Sequence, residues 1–451
     1  MQDVKEKAPA LTQFVRTILD TPLNSQTKGI PVSAGTVKLG DVGKKGWNVL
    51  RGDMMLPLLT VRASRMKANL RTMRDYAAYH GVHLAPHGKS TVCPQIYLEQ
   101  MSEGGCWGIA AATVQQTAVV AATGIANIII ANQVVSRANI EQLAELKAQY
   151  PDAAIYSLVD SEAVVAQLAE FGKAKLAGRK FQVLLEVGYA GGRTGVRTPD
   201  AAKQVIETLR RHADVVELCG VEGYEGTINL SDPAETIRSV DRFLDFAIAT
   251  LTQCKDAGVL RSGEVLLTAG GSAYFDRVVD KFTDANFGPG TRIVLRGGSY
   301  LTYDHGFYEI KLQQLDDRGG LEGPKGHIKA AEEFRPALEL WAMVQSLQDP
   351  GIAILTMGIR DLPYDLGYPR PLRQFRKGKP IADPQAKELP FKIINSNDQH
   401  CYMTYPAGAD IAVGDVISCG ISHPCTAFDK WDVLYAIDDD NNVVAALKTF
   451  F

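Results

Sequence analysis

The sequence predicts an α/β protein: a (β/α)8 barrel followed by a second, β-rich domain. Three observations carry this. Between Val82 and Arg296, short apolar runs recur with helical patterns between most of them. The runs are near-continuously apolar, as in Asn127-Ile128-Ile129-Ile130-Ala131 and Val183-Leu184-Leu185, which is how strands covered on both faces of a parallel sheet read. After about Gly320 the rhythm stops, and short strands and turns take over.

Taken in order, the first fifty residues hold one helical pattern, Leu11 to Leu19, and then a Gly/Lys/Ser-rich stretch. Leu58 to Val61 reads as a short strand that heads the barrel count and leads into its first helix. In that helix Ser64 can cap, Met66, Leu70, Met73 and Ala77 share a face, and Gly81 ends it. Strand candidates follow at 82–86, 106–111, 127–131, 155–159, 181–187, 216–222, 264–269 and 291–296. Helices are expected at Thr113–Ala122, Ser136–Gln149, Ser161–Phe171 and Asp232–Ala257, each ended by Gly or Pro. Eight strands over about 220 residues fit a closed barrel; an open doubly wound sheet is the alternative. Later, 355–358, 391–394, 399–404, 415–419 and 432–437 read as antiparallel β, and Arg360–Gln385 reads as a long surface loop. The division is an N-terminal extension over 1–55, with the β-rich domain as one place for it to pack, a barrel over 56–325 and a β-rich domain over 326–451.

Hydrophobic residues make up 46% and charged residues 22% of the 451, so a packed core is expected. A net charge of -3 gives no electrostatic case for nucleic acid or an anionic membrane as partner. No apolar run approaches the roughly 20 residues a bilayer span needs. The opening MQDVKEKAPALTQF lacks the layout of a secretion signal. Seven cysteines at irregular spacing, with no CxxC, read as a reduced, cytoplasmic protein.

In such a barrel, chemistry sits at the carboxyl ends of strands. There the sequence places His87 and Lys89; Glu186 through Gly195, with Tyr189 and Arg193; Gly223, Tyr224 and Glu225; Thr268-Ala269-Gly270-Gly271-Ser272; and Gly297 through His305. A lone loop lysine is ordinarily solvated, but Lys89 follows a strand that breaks at Pro86 and has Gly88 beside it. The turn at Gly270, Gly271 and Ser272 precedes a helical pattern. It suits a phosphate monoester and equally a plain helix entry with Ser272 as N-cap. In His423-Pro424-Cys425 an extended backbone would project both side chains to one side. Imidazole and thiolate together suit a borderline-soft metal, Zn²⁺ by default; a buried cysteine beside a hydrogen-bonded histidine is the plainer reading. His400 is a third polar group of the same half.

Lys89 in its P-H-x-K setting, the GGS turn, LRGGSYLTYDHG, NDQH and SHPCTAFDKW, in this order, resemble one family over about residues 56–451. It comprises the D-serine dehydratase-like and D-threonine aldolase-like enzymes, which use pyridoxal phosphate on a barrel of alanine racemase type. The sequence looks most like the amino acid deaminase (D-serine deaminase) branch. The resemblance implies that Lys89 carries the coenzyme, that Gly270, Gly271 and Ser272 cradle its phosphate, and that Tyr189 and Arg193 lie near its ring, with His87 and Tyr224 on the same rim. His423 and Cys425 are implied as ligands of Zn²⁺ or another divalent metal. The family's dehydratases carry His-x-Cys and its aldolases His-x-Asp, so Cys425 favours a dehydratase that turns D-β-hydroxy amino acids into a 2-oxo acid and ammonia. The alternative is retro-aldol cleavage to glycine and an aldehyde, with His400 as base. A homodimer with the site at the subunit boundary is also implied. The first fifty residues exceed the family's usual lead.

Overall fold

The computed structural model describes residues 9–176, 178–381 and 389–451. Eight parallel strands form the first sheet: His83–Leu84, Ile109–Ala111, Asn127–Gln133, Ala154–Val159, Phe181–Val187, Val216–Gly223, Val265–Ala269 and Thr291–Leu295. From Ile109 onward each strand pairs with the next, and the last pairs with the first, Val294 beside His83. A bridge between His87 and Ala110 closes the ring, with the Ala110 N–H donating to the Pro86 carbonyl over 2.9 Å. This is a barrel of alanine racemase type and not an open sheet. The strands are apolar on both faces because both are covered. Ala85, Ala110, Ile129, Leu184 and Leu266 fill the inside, and the helices cover the outside.

Those helices begin where capping chemistry says they should. Thr113, Ser136, Ser161, Thr198 and Asp232 each accept a first-turn N–H on a side-chain oxygen. The first helix, Ala63–Tyr79, is the exception. It has no side-chain cap, and Ser64 instead donates to Asp439 at 2.7 Å. Its predicted apolar face is buried, and Gly81 leaves it at a φ of +66°, which glycine adopts without strain.

Two sequence expectations fail in the second sheet. Leu58–Arg62 does not head the barrel. It runs antiparallel to Leu338–Ser346, with Leu59 opposite Leu340, and parallel to Val433–Ile437. All five of its residues are buried, so its apolar signature is that of a barrel strand. The stretch 360–385 is not simply a surface loop either. Arg370–Arg376 is a strand paired with Val416–Gly420, while 382–388 lie outside the described residues. Its arginines are neutralised by distant partners: Arg370 by Glu309 at 3.0 Å and Arg376 by Asp415 at 2.7 Å. The remaining strands, Ile352–Leu355, Lys392–Ser396, Cys401–Thr404, Val416–Gly420 and Val443–Lys448, complete a mostly antiparallel β domain.

The helix Pro9–Leu19 and the segment after it pack on this β domain. Ile18, Leu23, Ile30, Val37 and Val42 share a core with Trp341, Phe375 and Tyr435. Among the described residues no helix is long and apolar enough to cross a membrane.

Candidate active site

A cavity of about 430 Å³ opens at the carboxyl ends of the barrel strands. Lys89, His87, Arg193, Glu222, Ser272, Arg296, His423 and Cys425 are among the residues that line it. The early lysine and the late His-x-Cys pair therefore face one space.

Lys89 is aimed by its neighbours. After the first strand the chain makes one tight turn, Gly88–Ser90. The Tyr97 hydroxyl donates to the Gly88 carbonyl at 3.0 Å, and a Cβ on Gly88 would lie 2.8 Å from Ile109. The turn cannot shift inward, so the Lys89 side chain projects into the cleft. Its amine has no hydrogen-bond or ion-pair partner among the described residues. Lys89 is open to the cleft, yet desolvation by the surrounding walls lowers its pKa. Arg193 and Arg296 add to that effect, and Cys425 opposes it. A lowered pKa leaves more free amine at neutral pH. Burial, with Lys89, Arg296 and Arg193 around it, keeps His87 neutral.

Three buried carboxylates lie at this end of the barrel, and Glu186 and Glu222 line the cavity. Glu222 pairs with Arg296, and one Arg296 nitrogen also donates to the Gly223 carbonyl at 2.7 Å. Burial raises the Glu222 pKa to about 8, Glu186 and Glu225 adding and Arg296 opposing. Glu186 accepts from Thr194 at 2.7 Å. Glu225 accepts from the N–H groups of Gly270 and Gly271 at 3.1 and 2.8 Å. That last contact corrects the expected phosphate cradle, because those two N–H groups already serve a carboxyl group inside the protein. The amides of Ser272, Gly297 and Gly298 make no hydrogen bond among the described residues. Ser272 does not cap the helix Phe275–Asp284; its oxygen accepts the Ser299 N–H at 3.2 Å. A Cβ on Gly298 would lie 2.7 Å from the His87 carbonyl oxygen.

The His423-Pro424-Cys425 backbone is not extended. Pro424 has φ -60° and ψ -44° and leads into the short helix Cys425–Phe428. The imidazole and thiol still line the same cavity. Ser90 Oγ lies 3.0 Å from Cys425 Sγ, which joins the pair to the lysine turn. Burial opposes ionisation of Cys425, but the neighbouring His423, the Ser90 hydroxyl and the charge of Lys89 outweigh it and lower the thiol pKa. On its far side His423 holds Asp365, Nδ1 to Oδ2 at 2.6 Å, and Asp365 also accepts from Thr426 at 2.6 Å.

Arg193 reaches the cleft and lies 4.6 Å over the Tyr224 ring. Three expected site residues do not line the cavity: Gly270, whose N–H serves Glu225, and Tyr189 and His400. Tyr189 turns away, its hydroxyl 2.7 Å from Thr227 and its ring edge-on to Phe243. His400 is exposed on the turn before Cys401–Thr404, where its carbonyl accepts the Asn397 N–H. It sits there because Ile393 and Met403 bury this hairpin from the other side. Sequence reasoning missed Glu222, Arg296, Asn132 and Tyr308. A signal existed for the first two: charged residues at the ends of otherwise apolar strands are rarely buried unless paired.

Comparison with known proteins agrees with this architecture. The family model "Alanine racemase, N-terminal domain" matches residues 61–276, and "Putative serine dehydratase domain" matches residues 337–437. The chain thus has the two-part build of a racemase-type barrel joined to a dehydratase-type β domain. It is 27% identical over 386 residues to the D-threonine aldolase of Arthrobacter sp, covering 85% of this chain and 89% of that one. It is 26% identical over 322 residues to the 3-hydroxy-D-aspartate aldolase of Paracoccus denitrificans (strain Pd 1222), covering 70% and 75%. The crystal structure of D-threonine aldolase from Filomicrobium marinum shares the fold, with a TM-score of 0.70, 24% identity and coverage of 90% and 96%. D-threo-3-hydroxyaspartate dehydratase from Delftia sp. HT23 does so at 0.68, 21%, 90% and 99%. The chain belongs to the D-serine dehydratase-like / D-threonine aldolase-like family.

The residues present fit the groups this family implies. Lys89 offers an unpaired amine for the aldehyde of pyridoxal phosphate. The amides of Ser272, Gly297 and Gly298 and the Ser272 hydroxyl offer donors for its phosphate, beside glycines with no room for a Cβ. For a metal, the Asp365 contact matters most. A carboxylate on Nδ1 fixes the tautomer and leaves the other ring nitrogen to act as a ligand. Among the described residues no third His, Cys, Asp or Glu completes the set, which leaves coordination positions for water or substrate.

Proposed function

We propose that this protein is a pyridoxal phosphate- and metal-dependent lyase. It would remove the β-hydroxyl and the amino group of D-β-hydroxy amino acids such as D-serine or D-threonine, giving a 2-oxo acid and ammonia. One observation carries the reading: an unpaired amine and an imidazole–thiol pair, far apart in sequence, face a single cavity and are joined through Ser90 and Cys425.

Bound pyridoxal phosphate supplies an electron sink at the substrate α-carbon. The Ser272, Gly297 and Gly298 donors would hold its phosphate, and Lys89 would hold its aldehyde. Lys89 Nζ, which faces the cavity, would be the group to take the α-proton, and its lowered pKa suits that task. His423 and Cys425 would hold a divalent ion, Zn²⁺ first, whose Lewis acidity helps hydroxide depart. Retro-aldol cleavage instead needs a base at the β-hydroxyl. The residue the sequence offered for that, His400, lies outside the cleft, which supports elimination.

The test is a product assay of the purified protein with D-serine, D-threonine and D-3-hydroxyaspartate. Ammonia and a 2-oxo acid are expected. Glycine with an aldehyde would replace the reading by the aldolase one, and no turnover of any would overturn both. A second measurement addresses the metal. Asp365→Asn should weaken Zn²⁺ binding by about 10- to 100-fold in chelator competition, the usual effect of removing a ligand's outer partner. As an assembly we propose a homodimer, which sedimentation would show as a mass twice that of the 49.0 kDa chain.

A further inference from the structure

The N-terminal extension reaches the metal-pair region through one side chain. Lys28 Nζ makes an ion pair with Asp361 Oδ1 at 2.8 Å, where the Asp361 side chain is 2% exposed and that of Lys28 44%. The same ammonium lies 4.2 Å over the Trp431 ring and donates to the Arg360 carbonyl at 3.3 Å. The backbone is pinned as well, because the Tyr435 hydroxyl donates to the Lys28 carbonyl at 2.6 Å.

Those partners bracket the His423–Cys425 segment. Asp361 accepts the Gly358 N–H at 3.1 Å and so closes the start of a loop. Trp431 Nε1 donates to the Asp361 carbonyl at 3.0 Å. Trp431 itself follows the short helix that begins at Cys425. The loop then runs past Pro363, whose carbonyl accepts from Ser422 at 3.4 Å. It ends at Asp365, on the His423 ring. Lys28 therefore clamps both flanks of the pair: the loop that carries the imidazole's carboxylate and the residue just past the thiol's helix.

We propose that Lys28 is a positioning residue for metal binding at His423 and Cys425. The N-terminal extension is then part of the functional unit, and not only a cover for the second sheet. A half-exposed ion pair contributes little stability, so the role expected of Lys28 is geometric. It holds Asp361 and Trp431 at the distance that lets Asp365 reach Nδ1. The proposal rests on the reading of His423 and Cys425 as a metal pair.

The experiment measures Zn²⁺ affinity by chelator competition on the full chain, together with thermal stability. The variants are Lys28→Met, Lys28→Arg, Cys425→Ala and Val42→Ala. Val42 is fully buried in the same extension and makes none of these polar contacts. Lys28→Met should bind Zn²⁺ about tenfold more weakly and regain turnover in excess Zn²⁺. Lys28→Arg, which keeps the ion pair and the stacked cation, should recover most of the affinity. Val42→Ala should lower the melting temperature and leave affinity unchanged. Should Lys28→Met not fold, Lys28→Gln serves in its place. Equal Zn²⁺ affinity in wild type and the Lys28 variant, or an equal loss in Val42→Ala, would overturn the positioning role. If wild type and Cys425→Ala bind Zn²⁺ alike, the metal-pair reading itself fails, and the proposal with it.

Discussion

Lys89→Ala is expected to give a folded protein that loses both the visible absorbance of bound pyridoxal phosphate and its turnover. The side chain is open to the cleft and has no hydrogen-bond or ion-pair partner among the described residues. Removing it empties no core and strands no partner, so stability should stay within about 0.5 kcal/mol of wild type. The chemistry has no such tolerance. His87 lines the same cavity but is held neutral by burial and neighbouring cations and belongs to the bridge that closes the barrel. The loss of turnover should therefore be at least about 10³-fold, the scale of losing a positioned proton-transfer group, with no rescue by added coenzyme. Lys89→Arg should be as poor, because a guanidinium does not give up its proton near neutral pH. Absorbance and fluorescence of the reconstituted variants check this. A Lys89→Ala protein with an unchanged visible spectrum and measurable turnover would remove Lys89 from the scheme.

What could be read from the sequence was what local pattern decides. Seven of the barrel strands were legible as apolar runs because a strand covered on both faces has no polar alternation to hide it. The eighth, His83–Leu84, was legible from the Pro86 break. Caps such as Thr113 and Asp232 were equally plain. What depended on pairing was not. Leu58–Arg62 has the composition of a barrel strand, and only its register against Leu338 to Trp341 assigns it to the other sheet. Arg370–Arg376 looked like a loop because its charges are balanced by Glu309, Glu339 and Asp415, each dozens of residues away or more. The site divides the same way. Lys89, Ser272, His423 and Cys425 stood out as residue types with company. Arg296 and Glu222 were hidden inside strand signatures, and the loss of the Gly270 and Gly271 amides to Glu225 required coordinates. Tyr189 was offered by position on the right loop, but side-chain direction is not in the sequence, and it points elsewhere; His400 lies on a hairpin turn that strand pairing places outside the cleft.

The largest effect on stability should come from Glu339→Gln. Glu339 is fully buried at the join of barrel and β domain. Arg62 Nη2 donates to it at 2.8 Å. Arg65 lies 3.5 Å away, and Arg373 approaches to 2.5 Å without hydrogen-bond alignment. Burial alone would raise the Glu339 pKa; Arg373, Arg62 and Arg65 overcome it and hold the carboxyl down to about 2. Its unfolded value is about 4.3. The stability it contributes is thus fully present above that pH and is lost as pH falls from there through about 2. Glutamine keeps the shape and removes the charge, leaving a 4% exposed Arg62 beside two other cations. Breaking one side of a buried pair in this way costs about 3–5 kcal/mol, to be read as a lower urea midpoint at neutral pH. Two further results follow from the same cause. The deficit should shrink toward pH 3, as wild type begins to lose the interaction too. It should also be partly relieved by adding Arg62→Met, because the second change removes the stranded cation. Arg62 ends the strand shared with the β domain, and the first barrel helix starts at the next residue. Through Arg62 and Arg65, Glu339 is therefore expected to fix the angle between that strand and the first barrel helix. A Glu339→Gln protein within about 1 kcal/mol of wild type would show that apolar packing sets that angle without the charge cluster.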